Sequence, residues 1–186
     1  MSDTRDRIVK KTSELLMLQG YHGTGLNQIV AESNTPRGSL YYYFPNGKEE
    51  LAAEAIRNRG EGMVEHIRAV LAQIDEPKEA INQLVQIMMA NLLKRNFTTG
   101  APVAGVAMEA SNASEVLREA CHDVYNLVSL PLKEKLAKVY DEEKADSLAT
   151  AILAALEGAL VMAYTSRSAR PLEAVAEMLK DCLDKS

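Results

Sequence analysis

Arg37, Gly38, Ser39, Tyr42 and Tyr43 fall within seven residues, with no carboxylate among them. On a helix they make a face rich in hydrogen-bond donors. An arginine there can fork onto O6 and N7 of a guanine, tyrosine hydroxyls can reach phosphates, which set register, and Gly38 lets the backbone come close to either. Other chemistry is sparse. The histidines are His22, His66 and His122. Glu119 and His122 have the spacing of half a di-metal carboxylate site, but no second such pair exists. Cys121 and His122 are adjacent, which on a helix points them apart. No G-x-S-x-G, phosphate-binding loop or G-x-G-x-x-G occurs. We therefore expect no catalytic residue, metal or cofactor, and no enzyme.

The donor face needs a scaffold, and residues 24–48 supply one. Leu26, Ile29 and Val30 stand at i, i+3 and i+4, a short helix that Thr24 can N-cap. Asn34 suits the left-handed turn residue. Thr35 can cap the next helix and Pro36 can open it, giving a helix over 36–44 anchored inward by Leu40 and Phe44. Two short helices across a tight turn form a helix-turn-helix, which places its second helix in the DNA major groove. The expected DNA contacts are Thr24, Thr35, Pro36, Arg37, Gly38, Ser39, Tyr42, Tyr43 and Lys48, the last adding charge to a positive helix N-terminus.

This stretch resembles the TetR family of bacterial regulators. The matching residues are Gly20-Tyr21, Thr24, Ile29, Gly38, Leu40-Tyr41-Tyr42, Phe44 and Lys48-Glu49-Glu50-Leu51. The run Pro36 to Glu49, with an extra residue before the lysine at Pro45-Asn46-Gly47, is similar to the LmrA/YxaF branch, regulators of drug-efflux operons. Gly100-Ala101-Pro102-Val103-Ala104 resembles a G-C-P-V-A segment of that branch. Tyr43 stands where the family usually has His, and Asn34 where it usually has Gly. The resemblance implies an operator-binding homodimer and a planar aromatic effector, a flavonoid or a drug.

Composition fits this frame. The chain has 186 residues, 47% hydrophobic, with no Trp and few aromatics, which suits packed helices. Net charge is −5, but residues 1–60 carry eight Lys/Arg against seven Asp/Glu, so the acidity lies beyond them. Operator affinity depends on local charge more than on the total. Arg5, Arg7, Lys10 and Lys11 are either phosphate contacts or a solvated face. With no apolar N-terminal segment, no long apolar run and only two distant cysteines, Cys121 and Cys182, we expect a cytoplasmic chain with no membrane partner and no disulfide framework.

The expected fold class is all-α with about nine helices. Helices over 3–19, with Gly20 as stop, and over the helix-turn-helix make a DNA-binding domain at 1–47. A ligand-binding and dimerisation domain fills 48–186. A helix over 48–74 spans ~40 Å and links the two. Gly60 and Gly62 in it mark either a flex point or close packing. Further helices fall at about 77–95, 102–110, 114–140, 142–167 and 171–184. Pro131 is expected to kink the helix over 114–140.

Eight methionines suit an adaptable apolar pocket. Its candidate lining is Met63, His66, Met88, Met89, Leu92, Phe97, Met108, Tyr125, Met162 and Tyr164, the other reading for each being ordinary core. Ala151, Ala155, Ala159 and Ala163 form an i+4 ladder of small residues, flanked by Leu156 and Leu160. With Val175 and Leu179 they are the expected face of a dimeric four-helix bundle, the other reading being an intrachain core. Partners are thus operator DNA, an apolar or aromatic effector and a second copy. The alternative is a helical interaction module or helical enzyme that does not bind DNA and whose helix-turn-helix is a structural corner.

Overall fold

The computed structural model describes residues 4–98, 102–110 and 114–183. Gly100 and Ala101 of the G-A-P-V-A segment lie outside them. Among the described residues the chain is entirely helical between its turns, with α1 (Thr4–Gly23), α2 (Leu26–Ser33), α3 (Arg37–Tyr43), α4 (Lys48–Leu71), α5 (Pro77–Lys94), α6 (Pro102–Ala110), α7 (Glu115–Leu136), α8 (Glu142–Ser166) and α9 (Arg170–Leu183). They form two compact units, one of residues 1–62 and 102–126, the other of 63–101 and 127–186. The boundaries fall inside α4 and α7. α6 and the first part of α7 therefore belong to the same unit as the helix-turn-helix, although they lie far from it in sequence.

In the first unit α1, α2 and α3 pack on one another, and α6 packs on α1. Ile8, Ile29, Leu40, Phe44, Leu51 and Ala55 are wholly buried, the apolar stripes expected of each helix. Gly20 interrupts α1 at φ 71°, ψ −177°, a conformation that costs glycine little and other residues much. Gly60 is buried against α7, and a Cβ there would come within 2.8 Å of Val124 Cγ2, whereas nothing lies within 4 Å of one at Gly62. Close packing explains Gly60.

The second unit has one apolar cluster, including Leu71, Ile81, Val85, Leu132, Leu136, Ile152, Leu156, Ala163, Leu172 and Leu179. Glu76 caps α5 by accepting from the Lys78 and Glu79 N–H groups, with Pro77 at the first helical position. Asp141 caps α8 through Lys144 N–H. Lys135 is buried, and its ammonium donates to Leu71 O at 2.8 Å and to Ile74 O. Leu71 O is one of the carbonyls that the end of α4 leaves without an intrahelical partner, and Ile74 O lies in the turn that follows. Burial pushes the Lys135 pKa down. Arg57 pairs with Asp123 in the first unit and Arg68 with Glu134 in the second. Each pair joins α4 to α7 within its own unit.

The small-residue ladder of α8 divides. Ala151 is exposed and Ala155 half-buried, but Ala159 and Ala163 are buried in the core, as are Leu156 and Leu179. Leu160 and Val175 are half-buried. An i+4 step overshoots one turn by about 40°, so a ladder of four winds from the surface into the core. Ala159, Ala163, Leu156 and Leu179 are thus intrachain core, which corrects their assignment to a dimer face. The outward stripe is instead Ala151, Ala154, Gly158, Val161 and Met162, with Ala174 and Met178 exposed on α9. α8 is also long and apolar enough by composition to cross a membrane, at a mean hydropathy of 1.7. This corrects the expectation of no long apolar run, and arises because α8 is apolar on its outward face as well as its core face.

Candidate functional site

The helix-turn-helix is built from local rules. α2 ends at Asn34, whose φ 51° and ψ 50° are left-handed. The N–H groups of Asn34 and Thr35 return to Ala31 O and Val30 O, both at 3.3 Å, closing the turn. Ile29, Leu40 and Phe44 are fully buried and fix α3 against its scaffold.

Two expected caps are not formed. Gly25 occupies the N-cap of α2 without a side-chain bond, while the buried Thr24 donates its hydroxyl to Gly20 O at 2.7 Å. Pro36 occupies the N-cap of α3, while the buried Thr35 hydroxyl pairs with Ser33 Oγ at 2.7 Å. Both threonines are spent inside the head, because a nearby side-chain or carbonyl partner outcompetes the helix terminus. This corrects their expected role as caps and gives them a structural place.

The exposed surface of α3 is formed by Arg37, Gly38 and Tyr42, the last 79% exposed, with Pro36 just before it and Ser39 and Tyr43 half-buried. Tyr42 and Tyr43 meet edge to face at 5.0 Å. Tyr41, which the sequence reading left out of the site, is exposed, and its ring lies 6.0 Å from the Arg37 guanidinium. Its i+4 spacing from Arg37 was the available signal. No acidic residue occurs from Asn34 through Lys48. The face can donate to bases and phosphates without repelling them.

The neighbouring cations differ in availability. Arg7 sits beside the turn, donating to Asn34 O at 3.4 Å. Arg5 is engaged by Glu54 and lies over the Phe44 ring, so it braces α1 against α4. Lys11 pairs with Glu14. The Lys48 ammonium sits 4.2 Å from the centre of the Tyr21 ring, and partial burial lowers its pKa.

The ten candidate ligand residues divide between the units. Met108, 83% exposed, and the half-buried Tyr125 belong to the first. In the second, Met88, Met89 and Phe97 pack on the apolar cluster that holds Leu92. Met63 is half-buried, and His66, Met162 and Tyr164 are exposed. Of the ten, Met88, Met89, Leu92 and Phe97 thus belong to the apolar cluster of the second unit or pack against it. A cleft of 420 Å³ between α1 and α4, lined by Arg5, Lys10, Glu14, Met17 and Glu54 among others, contains none of the ten. Among the described residues no group of three or more His, Cys, Asp or Glu could hold a metal. Burial raises the Cys121 pKa, which keeps the thiol protonated and unreactive.

Comparison with known proteins gives the family. The family "Bacterial regulatory proteins, tetR family" matches residues 8–55, and "Transcriptional regulator LmrA/YxaF-like, C-terminal domain" matches residues 77–178. The HTH-type transcriptional regulator LmrA of Bacillus subtilis is 36% identical over 184 residues, 98% of either chain. The uncharacterized HTH-type regulator YxaF of the same organism is 39% identical over 179 residues, 95% of this chain and 93% of its own. The crystal structure of reduced NemR from Escherichia coli matches the fold with a TM-score of 0.83 at 23% identity, covering 96% of each chain. The chain is a DNA-binding transcriptional regulator of the TetR family, with an LmrA/YxaF-like C-terminal domain.

Proposed function

We propose that the chain is a cytoplasmic, homodimeric repressor that leaves its operator when a small apolar or aromatic molecule binds. In this reading α3 enters the major groove. Arg37 reads a base, while Tyr42, Tyr43 and Lys48 contact phosphates and Ser39 and Gly38 allow close approach. The observation that carries the reading is the outward face of α3, an exposed arginine and tyrosines with no carboxylate, on a helix whose opposite side is fully buried. A purely structural corner has no use for that face, which disfavours the interaction-module and enzyme alternatives.

Residues 1–47 act as the reading head and 48–186 as the regulatory and dimerisation part. The dimer forms through the outward faces of α8 and α9, because an operator of two half-sites needs two heads and because α8 carries small and apolar side chains on its solvent side. The effector binds around Met88, Met89, Leu92 and Phe97, with the remaining six candidates as further contacts, and acts on the heads through α4. Such coupling is typically 1–3 kcal/mol and reciprocal.

The test is fluorescence anisotropy on duplexes from the chain's own upstream region and from a random-library selection, across a salt series, with Tyr42→Phe alongside. Sequence-dependent nanomolar binding with a steep salt slope, weakened by loss of the hydroxyl, is expected. Affinity equal to that for random duplex in both sets, and indifferent to the substitution, refutes the assignment of α3.

A further inference from the structure

We propose that Glu109, at the end of α6, is a positioning residue for operator binding, holding the turn from which the helix-turn-helix starts. The role rests on the DNA-binding assignment of the head, and Glu109 itself touches no part of the recognition face. Gly20 interrupts α1 with a non-helical φ and ψ, which breaks the run of i to i−4 hydrogen bonds at that point. The His22 N–H donates instead to Glu109 Oε2 at 3.1 Å. The same carboxylate lies against the Cα of Gly20, where any Cβ would collide with it. On the other side of the turn Thr24 Oγ donates to Gly20 O. One amide and one carbonyl of the break are thus satisfied by two side chains, and α2 begins two residues later.

Glu109 is brought there by the rest of α6. Val103 and Val106 are buried and line an apolar slot with Leu16, Met17 and Ile56. Glu109 follows Val106 by three residues, on the same side of the helix. Its charge also acts on Lys48 at the start of α4. One carboxylate therefore addresses the α1–α2 turn and the first residue of α4. By sequence family α6 belongs to the C-terminal regulatory domain, yet it packs in the same compact unit as the head. A displacement of α6 would withdraw Glu109 and loosen the turn without touching the side chains of α3.

The test compares Glu109→Ala and Glu109→Gln on an operator found by random-library selection, together with amide hydrogen exchange at His22. The Ala variant is expected to weaken operator binding about 3- to 10-fold, the scale of one lost hydrogen bond in the pre-organised head. Its salt slope should stay unchanged, since no phosphate contact is lost. The Gln variant retains an acceptor for the His22 N–H and should return to within about twofold of wild type, since the hydrogen bond is kept. The His22 amide should exchange slowly in wild type and fast in the Ala variant. Wild-type affinity in the Ala variant overturns the proposal. So does tighter binding by both variants, the sign of a carboxylate that merely repels phosphates, or an unprotected His22 amide in wild type. If wild type selects no sequence at all, the DNA assignment of the head fails, and the exchange measurement still decides whether Glu109 holds the turn.

Discussion

Glu157 should make the protein less stable as pH rises from about 4.5 to neutrality. It lies on α8, half-buried, and its Oε2 is inaccessible with no hydrogen-bond partner among the described residues. Burial raises its pKa from 4.5 to about 7, because the ionised carboxylate loses hydration that nothing replaces. The unfolded chain releases this proton near the ordinary value, while the folded chain keeps it until about pH 7. The folded state is therefore favoured most below pH 4.5, loses that advantage between there and about 7, and stays penalised above. At about 1.4 kcal/mol per pH unit the ceiling is roughly 3 kcal/mol, and residual solvent access reduces it to about 2 kcal/mol. Glu157→Gln keeps the shape without the charge. Urea melts of both proteins at pH 5 and pH 8, at one fixed protomer concentration because dimerisation contributes to stability, measure the difference directly. The variant should gain about 2 kcal/mol on wild type between the two pH values. Parallel pH profiles would refute the reasoning, showing that Glu157 is hydrated or paired in solution.

The other expectations are more local. Arg37→Ala should cost about 1–3 kcal/mol of operator affinity and relax the preference at one operator position if the guanidinium reads a base; a uniform loss across sequences, measured by binding selection, would make it a phosphate contact. Gly60→Ala should destabilise by about 1–3 kcal/mol because its Cβ meets Val124. Gly62→Ala, with open space around it, should be neutral or stabilise by up to about 1 kcal/mol, so equal melting shifts for the two would contradict the packing described. Lys135→Met removes the donor to Leu71 O and Ile74 O and should lower stability by about 1–3 kcal/mol; an unchanged thermal midpoint would mean that water or another side chain takes over those carbonyls.

Much of the head was legible because its determinants are local. The left-handed Asn34, the anchors Leu40 and Phe44, the glycine stop at Gly20 and the donor face of α3 all follow from neighbours within a few residues. The helix bounds of the C-terminal half were equally readable, since caps such as Glu76-Pro77 and Asp141 lie beside what they cap. The choice of partner was not readable. The hydroxyls of Thr24 and Thr35 had helix termini within reach and took other partners instead, Gly20 O and the Ser33 hydroxyl.

Sequence alone determined the helical class, the helix-turn-helix and the family, because periodicity, turn chemistry and motif are properties of short windows. Tertiary structure decided what lies many residues apart: Lys135 on the end of α4, Glu109 on the turn after α1, and α6 beside the head. It also decided which part of α8 faces outward. A ladder at i+4 looks straight on paper but precesses on a helix of 3.6 residues per turn, and only the packed neighbours show where along that winding the core begins.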